Sequence, residues 1–185
     1  MMKNCRVIFY DLETTGLSYE NDKIIEIAGK DNYGNIFSKL INPQKEISSK
    51  IEEITGISNN NVKYRNNIEQ NRQKIEEWFD FENKNNYLVA HNGDNFDLKF
   101  IDSIFNVKCY HLDSLKFFKK LLRQQSYSIK NLCELFNIDT KGHHRALNDV
   151  IILEKLFNKG LEVYKLKYNL DEVTIEEIYN YTYYN

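Results

Sequence analysis

Two carboxylates, Asp11 and Glu13, lie two positions apart at the end of an apolar run that begins at residue 7. In a β-strand, side chains at positions i and i+2 project to the same face, so these two would point together. Like charges held that close repel each other unless a cation neutralises them, and hard divalent ions such as Mg²⁺ or Mn²⁺ suit an all-oxygen site. The alternative is a strand that runs out into a solvated acidic loop.

Two further acidic residues, Asp97 and Asp149, stand beside apolar segments that could hold them rigidly. Asp97 follows a short apolar segment and a polar loop, and it lies at the start of a helical pattern. Asp149 lies five residues after His144 and directly before an apolar run. Taken singly, Asp97 could cap a helix, Asp149 could be a carboxylate favoured by a helix dipole, and His144 could be surface decoration. Taken together, the three acidic segments favour one shared site.

Three motifs, in this order, make the pattern specific. They are Asp-Leu-Glu-Thr-Thr-Gly-Leu at 11–17, His-Asn followed by Phe-Asp at 91–97, and His-x-Ala-x-x-Asp at 144–149. This set resembles the DEDDh family of 3′→5′ exonucleases, which includes polymerase proofreading subunits and the three-prime repair exonucleases. Weaker similarities at 54–57, 110–115 and 127–138 extend the resemblance over about residues 5–160.

Phosphodiester hydrolysis would explain why four carboxylates are needed. Two metal ions about 3.5–4 Å apart can stabilise both ends of an in-line displacement. Asp11 is the best candidate to bridge two such ions, which we expect to be Mg²⁺ or Mn²⁺. Glu13 and Asp149 would complete the site that holds the attacking water. The resemblance implies that Asp97 holds the second ion, directly or through water.

His144 is the candidate general base. An unperturbed histidine pKa of about 6.5 suits proton transfer near neutral pH. Its place on the loop entering the helix that carries Asp149 would let it swing towards the metal. His143 is one residue too far from Asp149 for the family spacing, and we expect it to be dispensable.

The turn after the first two carboxylates is expected to position substrate. Gly16 permits backbone angles closed to other residues, which would let Thr14 and Thr15 present N–H groups to a ligand. In the resembling enzymes this stretch binds the terminal nucleotide and its 3′-OH, and the residue matching Leu17 packs against a base. The alternative is a plain tight turn with Leu17 in the core. Asn92 could touch the substrate or brace its loop.

The elements that must position these residues form an α/β pattern. Strands are predicted at 6–11, 24–28, 36–41 and near residues 87 and 110, and helices at 50–54, 68–79, 96–105, 115–123, 129–136 and 145–164. The resemblance implies a ribonuclease-H-like arrangement, a mixed five-stranded sheet flanked by helices, with the site at the end of the central strands.

We expect residues 1–165 to form the exonuclease domain and residues 166–185 to form a tyrosine-rich extension. The extension could pack on the domain as a short helix, which we favour. It could instead dock a partner such as a polymerase, because exposed aromatics suit interfaces. A basic stripe on one predicted helical face could follow a phosphate backbone, although a solvated face is the commoner outcome. Its members are Lys116, Lys119, Lys120 and Arg123.

Composition narrows the class of protein. The 185 residues are 42% hydrophobic, enough for one domain with a core, and no apolar run approaches the roughly 20 residues that span a bilayer. We therefore expect no membrane partner, and no signal peptide is visible. The three cysteines lack metal-ligand spacing and suggest free thiols in a reducing compartment, cytoplasmic or nuclear. The 24 asparagines and one proline indicate an AT-rich genome, such as that of a virus or parasite.

The expected function is a metal-dependent 3′→5′ exonuclease that releases nucleoside 5′-monophosphates from single-stranded or frayed 3′ ends. DNA is favoured over RNA because the long loop at 91–97 resembles that of DNA-degrading relatives. The net charge of −2 gives no general basic footprint for a long duplex. The Asp-x-Glu pair and the histidine argue against a ribonuclease-H-type endonuclease. An RNA-trimming exoribonuclease and a catalytically silent nucleic-acid-binding scaffold remain alternatives.

Overall fold

The computed structural model describes residues 5–140 and 145–184. Its centre is a five-stranded sheet. The strands are β1 (Val7–Thr14), β2 (Ile24–Asp31), β3 (Ile36–Leu40), β4 (Tyr87–Ala90) and β5 (Tyr110–Asp113). They lie in the order β3-β2-β1-β4-β5, with β1 antiparallel to β2 and parallel to β4. The mixed five-stranded sheet predicted from the sequence is confirmed.

Helices cover both faces of this sheet. They are α1 (Ser49–Thr55), α2 (Asn59–Val62), α3 (Ile68–Phe79), α4 (Asp97–Phe105), α5 (Ser114–Leu121), α6 (Ile129–Phe136), α7 (Ala146–Tyr168) and α8 (Ile175–Tyr183). The predicted bounds of α3 and α6 are confirmed, whereas α2, a single turn, was not predicted. Helix α7 continues four residues beyond the predicted end at residue 164.

Alternation along β1 separates the two larger apolar cores of the interior. Ile8, Tyr10 and Leu12 belong to the core under α3 and α4. Val7 and Phe9 belong to the core under α5 and α7. Because side chains two apart share a face of a strand, Asp11 and Glu13 lie on the α7 side of the sheet.

Strand β1 is longer than predicted. It continues past Asp11 to Thr14 because β2 offers backbone partners along the whole segment, with Leu12 opposite Ile27 and Glu13 opposite Glu26. The carboxylates are therefore held within paired strand. They do not stand on a free strand end, which excludes a solvated acidic loop.

The C-terminal helix packs on the domain. Ile175 and Ile178 of α8 are almost fully buried and belong, with Tyr181, to the core under α7. Among the described residues, no helix has the length and apolar character needed to cross a bilayer. Cys5, Cys109 and Cys133 are free thiols, and burial raises the pKa of both Cys109, to about 12, and Cys133, to about 11.

Candidate active site

Three of the predicted metal ligands meet between β1 and the first turn of α7. One carboxylate oxygen from each of Asp11, Glu13 and Asp149 lies within 4.8 Å of the other two. Asp11 and Glu13 share a face through the two-residue period of the strand, and Asp149 is the fourth residue of α7. Residues 138 positions apart in the sequence thus form one cluster of oxygens, as the spacing of the motifs predicts.

Burial and mutual repulsion shape the electrostatics of this cluster. Burial is the largest cause of the raised pKa of Asp11, and the charges of Asp97 and Asp149 raise it further. Burial raises the pKa of Glu13 to about 7, with Asp149 adding repulsion and Arg145 partly opposing it. Without a cation, the cluster favours protonated carboxyls near neutral pH, so a cation would relieve an unfavourable arrangement.

Asp97 approaches from the helix layer on the other side of the sheet. It is the first residue of α4 and only 4% exposed. Burial raises the pKa of its carboxyl, while the backbone N–H groups of Asp97 itself and Leu12 lower it. Its Oδ1 atom is buried and has no hydrogen-bond partner among the described residues.

This donor set fits a hard divalent cation. Four carboxylates supply oxygens only, which Mg²⁺ and Mn²⁺ prefer. An orphaned buried carboxylate oxygen is costly unless a cation or a water completes its interactions. The buried Oδ1 of Asp97 is thus the atom of the site that most directly indicates a cation or water partner.

An ion pair between a buried carboxylate and a half-exposed arginine fixes the start of α7. Glu26 on β2 is 2% exposed and receives hydrogen bonds from Arg145 Nε (3.1 Å) and Nη2 (2.8 Å). It also accepts from the Ala146 N–H at 3.1 Å. Since Glu26 lies opposite Glu13 in the β1–β2 ladder, this contact sets α7 relative to the carboxylate pair. Sequence reasoning missed Glu26, although a lone acid inside the apolar segment 24–28 is a usable signal.

A second network holds the loop that leads to Asp97. Asp94 receives hydrogen bonds from His111 Nδ1 (2.7 Å) and Lys116 Nζ (2.5 Å). These donors lower the pKa of Asp94 to about 2 against the opposing effect of burial. The other ring nitrogen of His111 lies 2.9 Å from the Tyr10 hydroxyl, within the sheet. The loop is therefore anchored to the central strand by charged and polar side chains.

Tyr183 of α8 joins this network. Its hydroxyl accepts from the Asp113 N–H and donates to Asp94 Oδ2, each at 3.0 Å. Asp113 in turn accepts from the Asn92 N–H at 2.8 Å through Oδ1. The C-terminal helix thus braces both ends of the loop at residues 92–94, a role that the sequence did not indicate.

The predicted substrate residues differ in their surroundings. Leu17 is 86% exposed, which excludes a place in the core. The Thr14 hydroxyl donates to the Gly16 carbonyl (2.6 Å). The Thr15 N–H donates to the Lys23 carbonyl (2.8 Å), so the expectation that this N–H is free for a ligand is wrong.

Gly16 also needs a different explanation. Its φ is not positive, in contrast to those of Gly34 and Gly56, so the expected need for unusual backbone angles is wrong. A Cβ atom at position 16 would lie 2.4 Å from Asp22 Oδ2. The loop therefore requires glycine there because of space.

Two predicted positions remain, Asn92 and His144. Asn92 is exposed, has a φ of 62°, and accepts at Oδ1 from Asn95 Nδ2 (3.0 Å). Bracing of the loop is thus visible for Asn92. His144, the predicted general base, and its neighbour His143 lie outside the described residues, and their roles stay predictions.

Comparison with known proteins agrees with this geometry. Residues 8–157 match the model of the RNase_T exonuclease family, and the chain belongs to that family. The family resemblance seen in the three motifs is confirmed.

Named relatives include polymerase components. The chain is 34% identical over 173 residues to a DNA polymerase III PolC-type protein of Thermotoga petrophila, covering 88% of this chain and 12% of that protein. It is 31% identical over 176 residues to DNA polymerase III subunit epsilon of Aquifex aeolicus, covering 89% and 85%. The chain therefore spans only about an eighth of the PolC-type relatives' length.

Solved structures share the fold. Exonuclease X in complex with 5′ overhanging duplex DNA superposes with a TM-score of 0.73 at 23% identity, covering 95% of this chain and 99% of that one. E. coli exonuclease I in complex with a dA16 oligonucleotide gives a TM-score of 0.74 at 16% identity, covering 96% and 43%. The predicted ribonuclease-H-like α/β fold is confirmed.

Proposed function

We propose that this protein is a metal-dependent 3′→5′ exonuclease that removes nucleoside 5′-monophosphates from single-stranded or frayed 3′ ends. The observation that carries the proposal is the convergence of Asp11, Glu13 and Asp149 beside the buried, unpartnered Oδ1 of Asp97. Such a set of oxygens suits two divalent ions, Mg²⁺ or Mn²⁺.

Each carboxylate has a proposed task. Asp11, whose pKa the charges of the other three acids all raise, would contact both ions, while Asp97 would hold the one remote from the attacking water. When bound, the ions would stabilise charge on the attacking and leaving oxygens of the phosphodiester. His144 would accept the proton of the attacking water.

Attack at a 3′ end is supported by the turn after β1. Leu17 follows the strand that carries Asp11 and Glu13, and its exposed side chain is free to pack against a terminal base; Thr14 closes the same turn. DNA is favoured over RNA because the related proteins named above include DNA polymerase III components and exonuclease X bound to DNA. The same relatives make a polymerase the first partner to test.

A direct test uses 5′-labelled single-stranded DNA and RNA of one sequence with Mg²⁺. We expect a ladder that shortens from the 3′ end, faster on DNA. The Asp11→Ala and His144→Ala variants should shorten the strand at a rate at least about 100-fold lower, which is the scale of a lost general base or metal ligand. The His143→Ala variant is the matched control and should retain it.

Three results would argue against the proposal. Internal cuts without a ladder would indicate an endonuclease, and a faster ladder on RNA would indicate an exoribonuclease. No shortening of either strand with Mg²⁺ or Mn²⁺, together with retained binding, would indicate a silent scaffold.

A further inference from the structure

A cleft of about 470 Å³ opens at the β3 edge of the sheet. It runs from the start of α7 around β3 to α3 and the segment before it. The side chains that give it its chemistry are Glu26, Lys39, Tyr64, Arg65, Lys74 and Arg145. None of them belongs to the carboxylate cluster described above.

The cleft is strongly cationic. Lys39, Arg65 and Lys74 are exposed, and none has an ion pair with a carboxylate in the described part of the chain. Among the described residues of its lining Glu26 is the one acid, and Arg145 already neutralises it. Three uncompensated positive charges thus face one opening in a chain whose formal net charge is −2. Such a concentration of charge attracts polyanions.

The basic stripe on α5, which the sequence analysis singled out, is a weaker candidate. Lys116 pairs with Asp94 at 2.5 Å. Lys120 lies 5.2 Å from the centre of the Tyr181 ring. Two of its four cations are therefore engaged by the domain itself, whereas Lys39, Arg65 and Lys74 of the cleft have no carboxylate partner among the described residues.

An exposed aromatic side chain stands among the cleft's cations. Tyr64 is 88% exposed, and Lys63 Nζ lies 4.8 Å from the centre of its ring. Proteins that hold single-stranded nucleic acid combine cations along the backbone with aromatic rings on which bases stack. Tyr64 and the three cations provide both components.

The cleft adjoins the carboxylate cluster. Glu26 and Glu13 are direct partners in the β1–β2 ladder. Arg145, which binds Glu26 and lines the cleft, immediately precedes the helix that carries Asp149. The opening therefore lies one β-strand away from Glu13 of the carboxylate cluster.

We propose that the cleft binds the phosphodiester backbone of the single-stranded substrate upstream of its 3′ end, with a base stacked on Tyr64. This inference rests on the proposed function for the identity of the strand. It makes the β3 edge an extended substrate site that a long strand reaches and a dinucleotide does not.

The test compares substrates of different length. A variant carrying Lys39→Gln, Arg65→Gln and Lys74→Gln is assayed on a DNA strand of about 20 nucleotides and on a dinucleotide. We expect the ratio of kcat/KM between the two substrates to fall about 10-fold, because neutralised phosphates contribute strongly to affinity. A control carrying Lys84→Gln, Lys130→Gln and Lys155→Gln has the same net charge and should keep the wild-type ratio.

Binding provides a readout that does not depend on hydrolysis. In the Asp11→Asn background, anisotropy of a labelled 20-nucleotide strand should show weaker binding and a salt slope reduced by about 2 when the three cleft charges are removed. Tyr64→Ala should weaken binding about 5-fold or more, Tyr64→Phe should not, and Tyr33→Ala is the control for an exposed tyrosine elsewhere.

An unchanged ratio and salt slope in the cleft variant would overturn the inference, as would an equal loss in the control. Failure of the proposed function looks different, because wild-type protein would then cleave neither the long strand nor the dinucleotide. Strand binding that depends on the cleft charges would still support the cleft as a nucleic-acid site in that case.

Discussion

Asp11 lies among like charges, because burial and then the charges of four acids raise its pKa: Asp97, Asp149, Glu13 and Glu26. A buried carboxylate among like charges destabilises the fold unless a cation is bound. The residues that suit the proposed chemistry are thus the ones that cost stability when metal is removed.

Replacing Asp11 by Asn should expose this conflict. In the presence of EDTA we expect the melting temperature to rise by about 2–4 °C, which corresponds to about 1 kcal/mol for a chain of this size. Activity and stabilisation by Mg²⁺ should both be lost. Scanning fluorimetry with and without Mg²⁺ measures this, with Asp171→Asn, at an exposed position, as the control. A lower melting temperature in EDTA would show that no repulsion is relieved.

The raised pKa of Glu13 predicts a pH dependence. Its folded-state pKa of about 7 exceeds the ordinary value of 4.5, so the folded protein binds a proton that the unfolded chain releases in this window. The free energy of unfolding of the metal-free protein should therefore fall as pH rises from about 5 to 8, because the Glu13 carboxyl loses its proton. The pKa of Asp94 is lowered to about 2, so this group changes the stability of the protein only below this pH range.

The difference between wild type and Glu13→Gln reports the titration of Glu13 together with the part of the raised Asp11 pKa that the Glu13 charge causes, and both act in the same direction. Half-buried His91 has a pKa lowered by desolvation and acts in the opposite direction near pH 6.5, but it is common to both proteins and cancels. We expect the melting temperature of Glu13→Gln to gain on wild type between about pH 5 and 8 in EDTA, and excess Mg²⁺ to abolish the gain. A constant difference across pH would contradict the prediction.

At the scale of elements, an ion pair at its N-terminal end helps to orient α7. Glu26 binds Arg145 and the Ala146 N–H, and this contact joins β2 to the helix that bears Asp149. Glu26→Gln should destabilise the protein by about 1–3 kcal/mol in urea unfolding, since Arg145 is half exposed and water compensates part of the loss.

A double-mutant cycle checks that interpretation. If the two side chains act as a pair, the combined Glu26→Gln and Arg145→Gln variant should lose less stability than the sum of the single variants. Additive losses would mean that the contact does not hold the helix.

Helix α8 supports the loop at residues 92–94 through one hydroxyl. Tyr183→Phe leaves the Asp113 N–H without its acceptor and removes one donor to Asp94. We expect a loss of about 1–2 kcal/mol and a several-fold lower kcat. Tyr184→Phe, at a side chain 74% exposed, should change neither quantity. Equal effects of the two variants would show that the Tyr183 hydroxyl does not stabilise the loop at residues 92–94.

At the scale of the whole molecule, the two cores lie on opposite faces of one sheet and share β1. Ile175 and Ile178 of α8 fill the core under α7, whereas Trp78 of α3 packs against the other core. Loss of packing in one core should therefore lower the stability of the other core, because both pack on the same sheet.

Truncation after residue 169 tests this coupling. Loss of two buried isoleucines and Tyr181 removes at least about 4 kcal/mol of apolar burial, a large share of ordinary domain stability. Trp78 fluorescence and far-UV circular dichroism should shift together to lower denaturant concentration. Leu166→Ala, at a side chain 83% exposed, is the control. Separate transitions for the two probes would show that the cores unfold independently.

Local patterns were sufficient for much of the fold. The two-residue period of strands placed Asp11 and Glu13 on one face, and the helical period found α3 and α6 with their observed bounds. Local patterns failed where the length of an element depends on the element that pairs with it. β1 extends to Thr14 because β2 pairs with it, and α2 is a four-residue helix rich in asparagine, too short for a periodic signal.

By itself, the sequence determined the residue types of the site, their order and the family, because these depend on spacing within short segments. The tertiary structure decided which distant groups meet: Glu26 with Arg145, Tyr183 with Asp94, and three cations around the edge of β3. These contacts join residues separated by up to 119 positions. No local period encodes such contacts, because packing of helices on a twisted sheet brings the groups together.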